Sequence, residues 1–349
     1  MIARVFRYSF AQARARAMKG KLLSSEDWHY LLRMRSVEDL LRYLRGTHYA
    51  LPLSNLSAAG PGAGVVFLAL HDDLFEDYGR LLKAVPAKSA HFLESFLLRY
   101  AAENLKTILR GIWQGKSASE VEPLLYRLGA LSRLPVGELL QIRRITAAVG
   151  LLKKTAFHVS LLHALPQFQA QGRLFPLEIA VDTAAVQHVR SGCNRLRGID
   201  RRNTQVLIGK WIDLVNLSWL IRFRHFYNLS PEEAINYILP GGWRLGIRDL
   251  GAAARADDLA SFLAALPDLY RKVLARTERW TQVQPLLDGW LVRELFRTFS
   301  QDPFQVQLPL SYLLLKEMEV KALASLLSAV ELGEPAEKLT EWISLPVSR

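Results

Sequence analysis

The sequence predicts an all-α fold built from three similar helical domains in tandem. Leucine, alanine and arginine are the commonest of the 349 residues, and all three favour helices. Apolar residues recur at steps of three and four along the chain, whereas no stretch alternates with a period of two for long enough to form a sheet. One helical pattern also returns three times. These observations together indicate a purely helical protein with internal repeats.

The repeated pattern begins with an asparagine in two of its three copies. Asn104 and Asn216 each open N-L-x-x-I/L-I/L-R, and a third copy from Ala322 keeps only the apolar positions. The starting positions 104, 216 and 322 lie 112 and 106 residues apart. Such even spacing indicates tandem copies of one supersecondary unit, which usually form a scaffold. We therefore predict helical repeats over residues 1–115, 116–230 and 231–349, with approximate boundaries that long helices cross.

Each repeat is predicted to contain a long helix, a tight turn and a short amphipathic helix. Ser230, Pro231 and Glu233 predict a full capping box, and Ser24 and Ser117 open weaker versions. The resulting helix–turn–helix spans are 8–32, 104–125, 216–238 and 322–343. We expect breaks at 53–64, 164–176 and 240–242. The glycine-rich stretch around Gly60 is predicted to be a flexible surface loop, since it lacks the GK[ST] ending of a phosphate-binding loop.

The chain carries a formal net charge of +12, which favours acidic partners. Basic side chains form local groups at 14–21, 143–144, 153–154 and 195–202. They are compatible with nucleic acid, anionic lipid or acidic protein surfaces, and equally with solvated helix faces. A basic, all-helical nucleic-acid-binding or scaffold protein is therefore kept as the alternative function.

Three features predict a cytoplasmic protein. Cys193 is the only cysteine, so no internal disulfide can form, which suits a reducing compartment. No apolar run approaches the ~20 residues of a membrane span. The first residues have neither an apolar core nor a cleavage site, so we expect no signal peptide.

Asp213 and Asn216 are the strongest candidates for a site in the sequence. They lie three residues apart, and therefore on one face of a helix that is otherwise apolar nearly all round. A buried carboxylate and amide must be hydrogen-bonded. The pair is either a catalytic carboxylate with a neighbour or a polar pin that fixes the helix in the core. We favour the pin, because no second acid, histidine or glycine loop lies close by in sequence.

The other two copies keep one member of this pair each. Glu319 lies three residues before Ala322 and so takes the place of Asp213, whereas Asn104 keeps the amide and is preceded at that step by Ala101. A catalytic pair would not dissolve copy by copy, but structural pins can. We predict structural roles for Asn104, Asp213, Asn216 and Glu319.

The sequence contains none of the common cofactor or catalytic signatures. The eight histidines are scattered, without an HExxH motif or zinc-type spacing. Neither a nucleophile elbow nor a dinucleotide fingerprint is present. We expect no cofactor, no metal and no catalytic site.

Four parts of the sequence share their order and spacing with a known family: 14–27, 103–110, 213–222 with 240–242, and 312–320. They resemble the central-stalk component of V/A-type rotary ATPases, which is called the C subunit in bacterial and archaeal enzymes and the d subunit in eukaryotic ones. The resemblance runs nearly end to end. This chain departs from the family pattern at Ala101, where the family usually has Asp, and at Lys321-Ala322, where the family usually has Arg-Asn.

The resemblance implies a funnel of three similar helical domains around a pseudo-threefold axis, with a central cavity. It also implies a rotor part without chemistry of its own, which transmits torque for ATP-driven ion transport or ATP synthesis. The implied partners are the central shaft, made of the D and F subunits, and the membrane proteolipid ring, with the membrane stator subunit nearby and no nucleic acid. The implied location is peripheral, on the cytoplasmic face of a membrane.

Overall fold

The computed structural model describes residues 2–54, 56 and 62–334, and every regular element in these ranges is helical. The all-α prediction is therefore confirmed for this part of the chain. The helices are α1 Ile2–Lys19, α2 Ser25–Leu31, α3 Val37–Leu44, α4 Ala50–Leu53, α5 Ala63–Leu82, α6 Ala87–Trp113, α7 Ala118–Val121, α8 Val136–Leu139, α9 Ile145–Leu151, α10 His158–Gln171, α11 Phe175–Arg195, α12 Gly198–Ile221, α13 Pro231–Asn236, α14 Ile247–Ala254, α15 Leu259–Ala265, α16 Asp268–Val273, α17 Trp280–Thr298 and α18 Gln307–Glu331. A π-helical turn, Arg222–Phe226, extends α12.

The chain divides into two compact units. The larger unit comprises Met1–Leu74 and Gly198–Arg349, and the smaller unit comprises Phe75–Arg197. The predicted repeat boundaries at 115/116 and 230/231 were drawn from the recurring sequence pattern and not from contacts. They stay a prediction.

In the larger unit the last helix packs against the first part of the chain. α18 contacts α1, α3, α12 and α17. Its buried residues Val320, Leu323 and Leu326 share one core cluster with Trp28 and Leu44. An apolar helix that is covered nearly all round is typical of a protein core, and α18 therefore holds the N-terminal and C-terminal segments of this unit together.

In the smaller unit two long helices pack side by side. α6 lies against α11, which also contacts α10, and α6 contacts the short helices α7 and α9. Phe92, Phe96 and Leu105 on α6 and Val181 and Val189 on α11 are fully buried between these elements. The shared apolar faces explain why the three- and four-residue periodicity predicts both helices.

Serine caps begin the short helices as expected, but their ranking differs from the prediction. At Ser24 both bonds of the capping box form, with Asp27 N–H at 3.2 Å from Oγ and the Asp27 carboxylate 2.6 Å from Ser24 N. At Ser117 the Glu120 carboxylate accepts the backbone N–H at 2.8 Å. At Ser230 the hydroxyl accepts Glu233 N–H at 3.2 Å. All three therefore satisfy otherwise orphaned backbone groups.

The break at 164–176 is wrong in its first half, because α10 continues through Pro166 and ends at Gln171, where Gly172 takes φ 62°. Proline only removes one intrahelical N–H donor, and the rest of this helix is long enough to tolerate that loss. Most of the predicted loop around Gly60, and the short helix expected to reach Ile343, lie outside the described residues.

Within the described residues, every helix is too short or too polar to cross a lipid bilayer.

Candidate functional site

Two long helices carry polar side chains three residues apart, and a third long helix keeps one of them. The step from Asp213 to Asn216 recurs from Glu319 to Ala322, and three residues further back α12 and α18 each have a lysine. Residues three apart share a helix face, so each helix presents a triplet on one face. The aligned triplets are Leu98, Ala101 and Asn104 on α6, Lys210, Asp213 and Asn216 on α12, and Lys316, Glu319 and Ala322 on α18.

The two asparagines close the same kind of loop. Asn104 donates from Nδ2 to the carbonyl of Tyr126 and accepts that residue's N–H at Oδ1, both at 2.8 Å. Asn216 does the same with Leu239, at 2.9 and 2.8 Å. Both side chains are buried, and the partners lie 22 and 23 residues further along the chain. A two-way bond of this kind fixes the returning backbone against the long helix.

Asp213 binds the loop that follows the Asn216 partner. Its carboxylate accepts the backbone N–H groups of Trp243 at 3.1 Å and Arg244 at 2.8 Å, and the hydroxyl of Tyr270 at 2.6 Å. Leu245 N–H lies 3.4 Å from both oxygens. Burial raises the pKa of Asp213 while these hydrogen bonds oppose the rise. Backbone and phenol donors thus replace water around this carboxylate.

The loop at 240–242 reaches Asp213 because Gly242 has no side chain. A Cβ at Gly242 would lie 2.0 Å from Asp213 Oδ1, and one at Gly209 would lie 3.0 Å from Trp243 Cβ. Gly241 has φ 96°, a conformation that favours glycine. Glycine is therefore required where this loop meets α12.

Glu319 makes the equivalent contacts in a distant part of the sequence. It accepts the N–H of Leu23 at 2.7 Å and the hydroxyl of Tyr49 at 2.8 Å, and it is 2% exposed. Burial raises its pKa to about 7, although Lys316, Tyr49 and Leu23 oppose the rise. Asp213 and Glu319 are each bound by a backbone amide and a tyrosine, but Glu319 ties α18 to residues almost three hundred positions earlier.

Lys316 is the centre of a buried polar cluster that the sequence analysis missed. The residue is fully buried, and its Nζ lies 2.8 Å from Asp73 Oδ2 and 2.5 Å from His48 Nε2. The same ammonium lies 3.8 Å from the centre of the Tyr49 ring. Burial, followed by the Lys316 charge, lowers the pKa of His48 to about 4. The neutral ring can therefore accept a hydrogen bond from the Lys316 ammonium at Nε2. The available signal was one lysine, three residues before Glu319, within an apolar run.

A short Leu-x-x-Thr turn supplies part of this cluster and recurs in all three sequence repeats. The threonine N–H donates to the leucine carbonyl at 3.0, 2.8 and 2.9 Å. Tyr49 lies two residues after the first turn and Phe157 two residues after the second. Where α18 has Glu319 and its partner Tyr49, the α6 copy has Ala101 and Phe157. The three turns are Leu44 to Thr47, Leu152 to Thr155 and Leu274 to Thr277.

Each of the four predicted site residues binds a different stretch of the chain. Asn104 holds Tyr126, Asn216 holds Leu239, Asp213 holds residues 243–245, and Glu319 holds Leu23. Asp213 and Asn216 share one helix face, as predicted. Across the described ranges, no group of three or more histidine, cysteine, aspartate or glutamate side chains is arranged to hold a metal ion. Bonds of this type can order a backbone, and structural roles for the four residues stay our interpretation.

Comparison with known proteins gives a consistent result over most of the chain. Residues 11–341 match the model of the ATP synthase (C/AC39) subunit family. Similar curated proteins include the C subunit of the A-type ATP synthase from Haloferax volcanii, 26% identical over 92% of both chains. The protein of the same name from Methanocaldococcus jannaschii is 24% identical over 97% of this chain and 86% of its own. That from Methanothermobacter thermautotrophicus is 26% identical over 97% and 88%.

Proposed function

Because the chain belongs to the ATP synthase (C/AC39) subunit family, we propose that it is a non-catalytic rotor adaptor of a V/A-type ATPase. It connects the central shaft to the membrane proteolipid ring and transmits torque between them. The observation that carries this proposal is the family match over residues 11–341, which spans nearly the whole chain. The resemblance found in the sequence is thereby confirmed at the level of the family.

The buried polar bonds support a mechanical role. Asn104, Asn216, Asp213 and Glu319 each fix a turn or loop to a long helix through backbone hydrogen bonds. Densely packed interiors have low compressibility and transmit strain. A part that passes rotation from one neighbour to another needs such stiffness. Such a part needs no substrate site. This agrees with Asp213 and Glu319, whose carboxylate oxygens accept backbone N–H groups of the chain itself.

The proposed partners are the D and F shaft subunits on one side and the proteolipid ring on the other, with the membrane stator subunit nearby. The protein would then lie on the cytoplasmic face of the membrane without spanning it. Its net charge of +12 favours acidic surfaces on these neighbours. Charge complementarity mainly speeds and orients association, so we expect these contacts to weaken with salt.

Co-purification tests this assignment. The full-length chain, immobilised by an affinity tag, should retain a purified D–F shaft complex and, separately, the detergent-solubilised proteolipid ring. A tagged protein of similar size and charge is the control for ionic adsorption. Retention of neither partner would contradict the proposal. In that case, binding to duplex DNA that falls steeply with salt, with log K decreasing by about 0.9 per neutralised phosphate, would favour the nucleic-acid alternative.

A further inference from the structure

The smaller unit contains a cavity at the positions where the polar cluster of the larger unit has been replaced. The cavity has a volume of about 470 Å³, and Leu98, Ala101 and Phe157 line it together with Ala156. In the aligned triplets and turns these positions correspond to those of the buried polar cluster. The corresponding residues of the larger unit are Lys316, Glu319, Tyr49 and His48. The cavity therefore lies where the smaller unit has apolar side chains at the four positions that are polar in the larger unit.

Cationic side chains surround the opening of this cavity. Arg133, Lys154 and Arg195 line it and are exposed. Within the described residues, none of the three has an ion pair or hydrogen bond with another side chain. The acidic residue in the lining, Glu94, lies 3.1 Å from His91 Nδ1. The rim thus carries three cations against one carboxylate, and burial and Arg195 also lower the pKa of His188 in the same wall.

Size, polarity and charge together define the ligand class. Pockets for small molecules usually measure about 300–1,000 Å³, with apolar walls and a few polar groups that fix orientation. A phosphate monoester carries about −1.5 to −2 charges near neutral pH, which matches the excess of two positive charges on this rim. Arginine binds phosphate oxygens in a two-pronged geometry, and lysine adds a point charge.

We propose that this cavity binds a phosphate monoester with an apolar body. The phosphate contacts Arg133, Lys154 and Arg195 at the rim, and the apolar body lies on the floor formed by Leu98, Ala101 and Phe157. The same chemistry occurs in a free phosphorylated metabolite and in the headgroup of phosphatidic acid. The proposal does not depend on the rotor role, and its failure would leave that role unaffected.

Isothermal titration calorimetry with the full-length chain tests the proposal directly. Phenyl phosphate should bind saturably at one site. Inorganic phosphate should bind at least about tenfold more weakly, because it cannot bury a ring on the apolar floor. Phenol, which lacks the phosphate, should show no measurable binding. Equal affinity for phenyl phosphate and phenol, or no binding of phenyl phosphate, would overturn the proposal.

Variants show whether binding occurs in this cavity. The double change Lys154→Ala/Arg195→Ala should weaken phenyl phosphate binding at least about tenfold, since it removes two of three charge-assisted contacts. Lys153→Ala is the matched control, because this exposed neighbour of Lys154 is outside the lining, and it should leave affinity unchanged. Ala101→Leu should also abolish binding by filling the floor. Unchanged binding in the double variant would contradict the assignment even if Ala101→Leu failed to fold.

Vesicles distinguish the two natural sources. Sedimentation with phosphatidylcholine vesicles containing phosphatidic acid should retain the wild-type chain and lose the double variant if the source is a lipid. If the source is a soluble metabolite, the vesicles bind neither protein while phenyl phosphate binding persists. Both outcomes support the cavity as a phosphate monoester site. Vesicle binding that is identical for the wild type and the double variant, without any phenyl phosphate binding, would refute it.

Discussion

Asp213 is a carboxylate whose surroundings are entirely protein. Three backbone amides and one phenol occupy its oxygens, and the side chain has no exposed surface. Burying a carboxylate lowers the free energy of unfolding when its oxygens are left without hydrogen-bond donors. Its hydrogen bonds therefore matter for the free energy of folding, and a substrate would have to displace backbone donors to reach it.

We predict that Asp213→Asn lowers the free energy of unfolding by about 1–3 kcal/mol, because an amide replaces one acceptor oxygen with a donor that faces backbone N–H groups. Urea denaturation followed by circular dichroism measures this change. Asp257→Asn is the control, since the Asp257 side chain is 97% exposed, and it should be neutral within about 0.5 kcal/mol. If both variants were equally stable, the interpretation of Asp213 as a pin would be wrong.

His48 gives the larger unit a defined response to acid. Its pKa is lowered to about 4 in the folded chain from an ordinary value of 6.5, mainly by burial and next by Lys316. As pH falls from 6.5 to 4, the unfolded chain takes up a proton that the folded chain does not, so His48 lowers stability in this window. Glu319, whose pKa is raised from 4.5 to about 7, contributes in the opposite direction, because its stabilising effect is present below pH 4.5 and lost as pH rises towards 7.

We therefore predict that His48→Gln becomes more stable relative to the wild type as pH falls from 6.5 to 4. The glutamine amide oxygen can still accept a hydrogen bond from Lys316, but the side chain does not titrate. The difference in free energy of unfolding should change by at most about 1.4 kcal/mol per pH unit. Comparing the two proteins at each pH removes the contribution of Glu319, which both share. A difference that stays constant with pH would contradict the lowered pKa of His48 in the folded chain.

At the scale of elements, the long helices and the loops that return to them form repeated closures. α6 and α12 each bind a returning loop through an asparagine, and α12 and α18 each bind one through a carboxylate. The glycine loop before α14 belongs to this scheme, because only glycine lets its backbone approach Asp213. The stability of α12 in the larger unit therefore depends on a loop that lies some thirty residues downstream.

Gly242→Ala should destabilise the chain by about 1–3 kcal/mol, as is typical of overpacking in a well-packed interior. The added methyl group would lie 2.0 Å from Asp213 Oδ1 and would push the loop away from the carboxylate. Gly246→Ala, four residues later, is the matched control, since its nearest neighbour would be 3.4 Å away. Thermal unfolding of both variants checks the difference. A Gly242→Ala protein as stable as its control would show that the close approach is not required.

Sequence reasoning recovered the parts of this scheme that depend on local pattern. Helical periodicity, serine caps and the recurring N-L motif are short-range signals, and they predicted the all-α fold and the asparagine positions. The Lys316 cluster was missed because its members come from α18, α5 and the turn before α4. Contacts between segments so far apart in sequence cannot be read from the local spacing of residues. The break predicted from residue 164 was placed too early, because α10 accommodates Pro166 and continues to Gln171.

For the whole molecule, the family establishes the class of protein, and the internal recurrence suggests how it is built. Three Leu-x-x-Thr turns and three aligned triplets agree with the sequence recurrence on which the predicted threefold organisation is based. The pins are unevenly kept, since α6 has lost the carboxylate and α18 the asparagine. A funnel around a pseudo-threefold axis remains our prediction, as do the repeat boundaries.

The most direct test of the rotor role is the number of ions transported per ATP hydrolysed by the complete complex in vesicles, with and without this chain. We predict that the complex lacking this chain still hydrolyses ATP but transports no ions, and that adding back the purified wild-type chain restores transport. Adding back an unrelated basic helical protein is the control and should restore nothing. Unchanged transport per ATP in the absence of this chain would contradict the account.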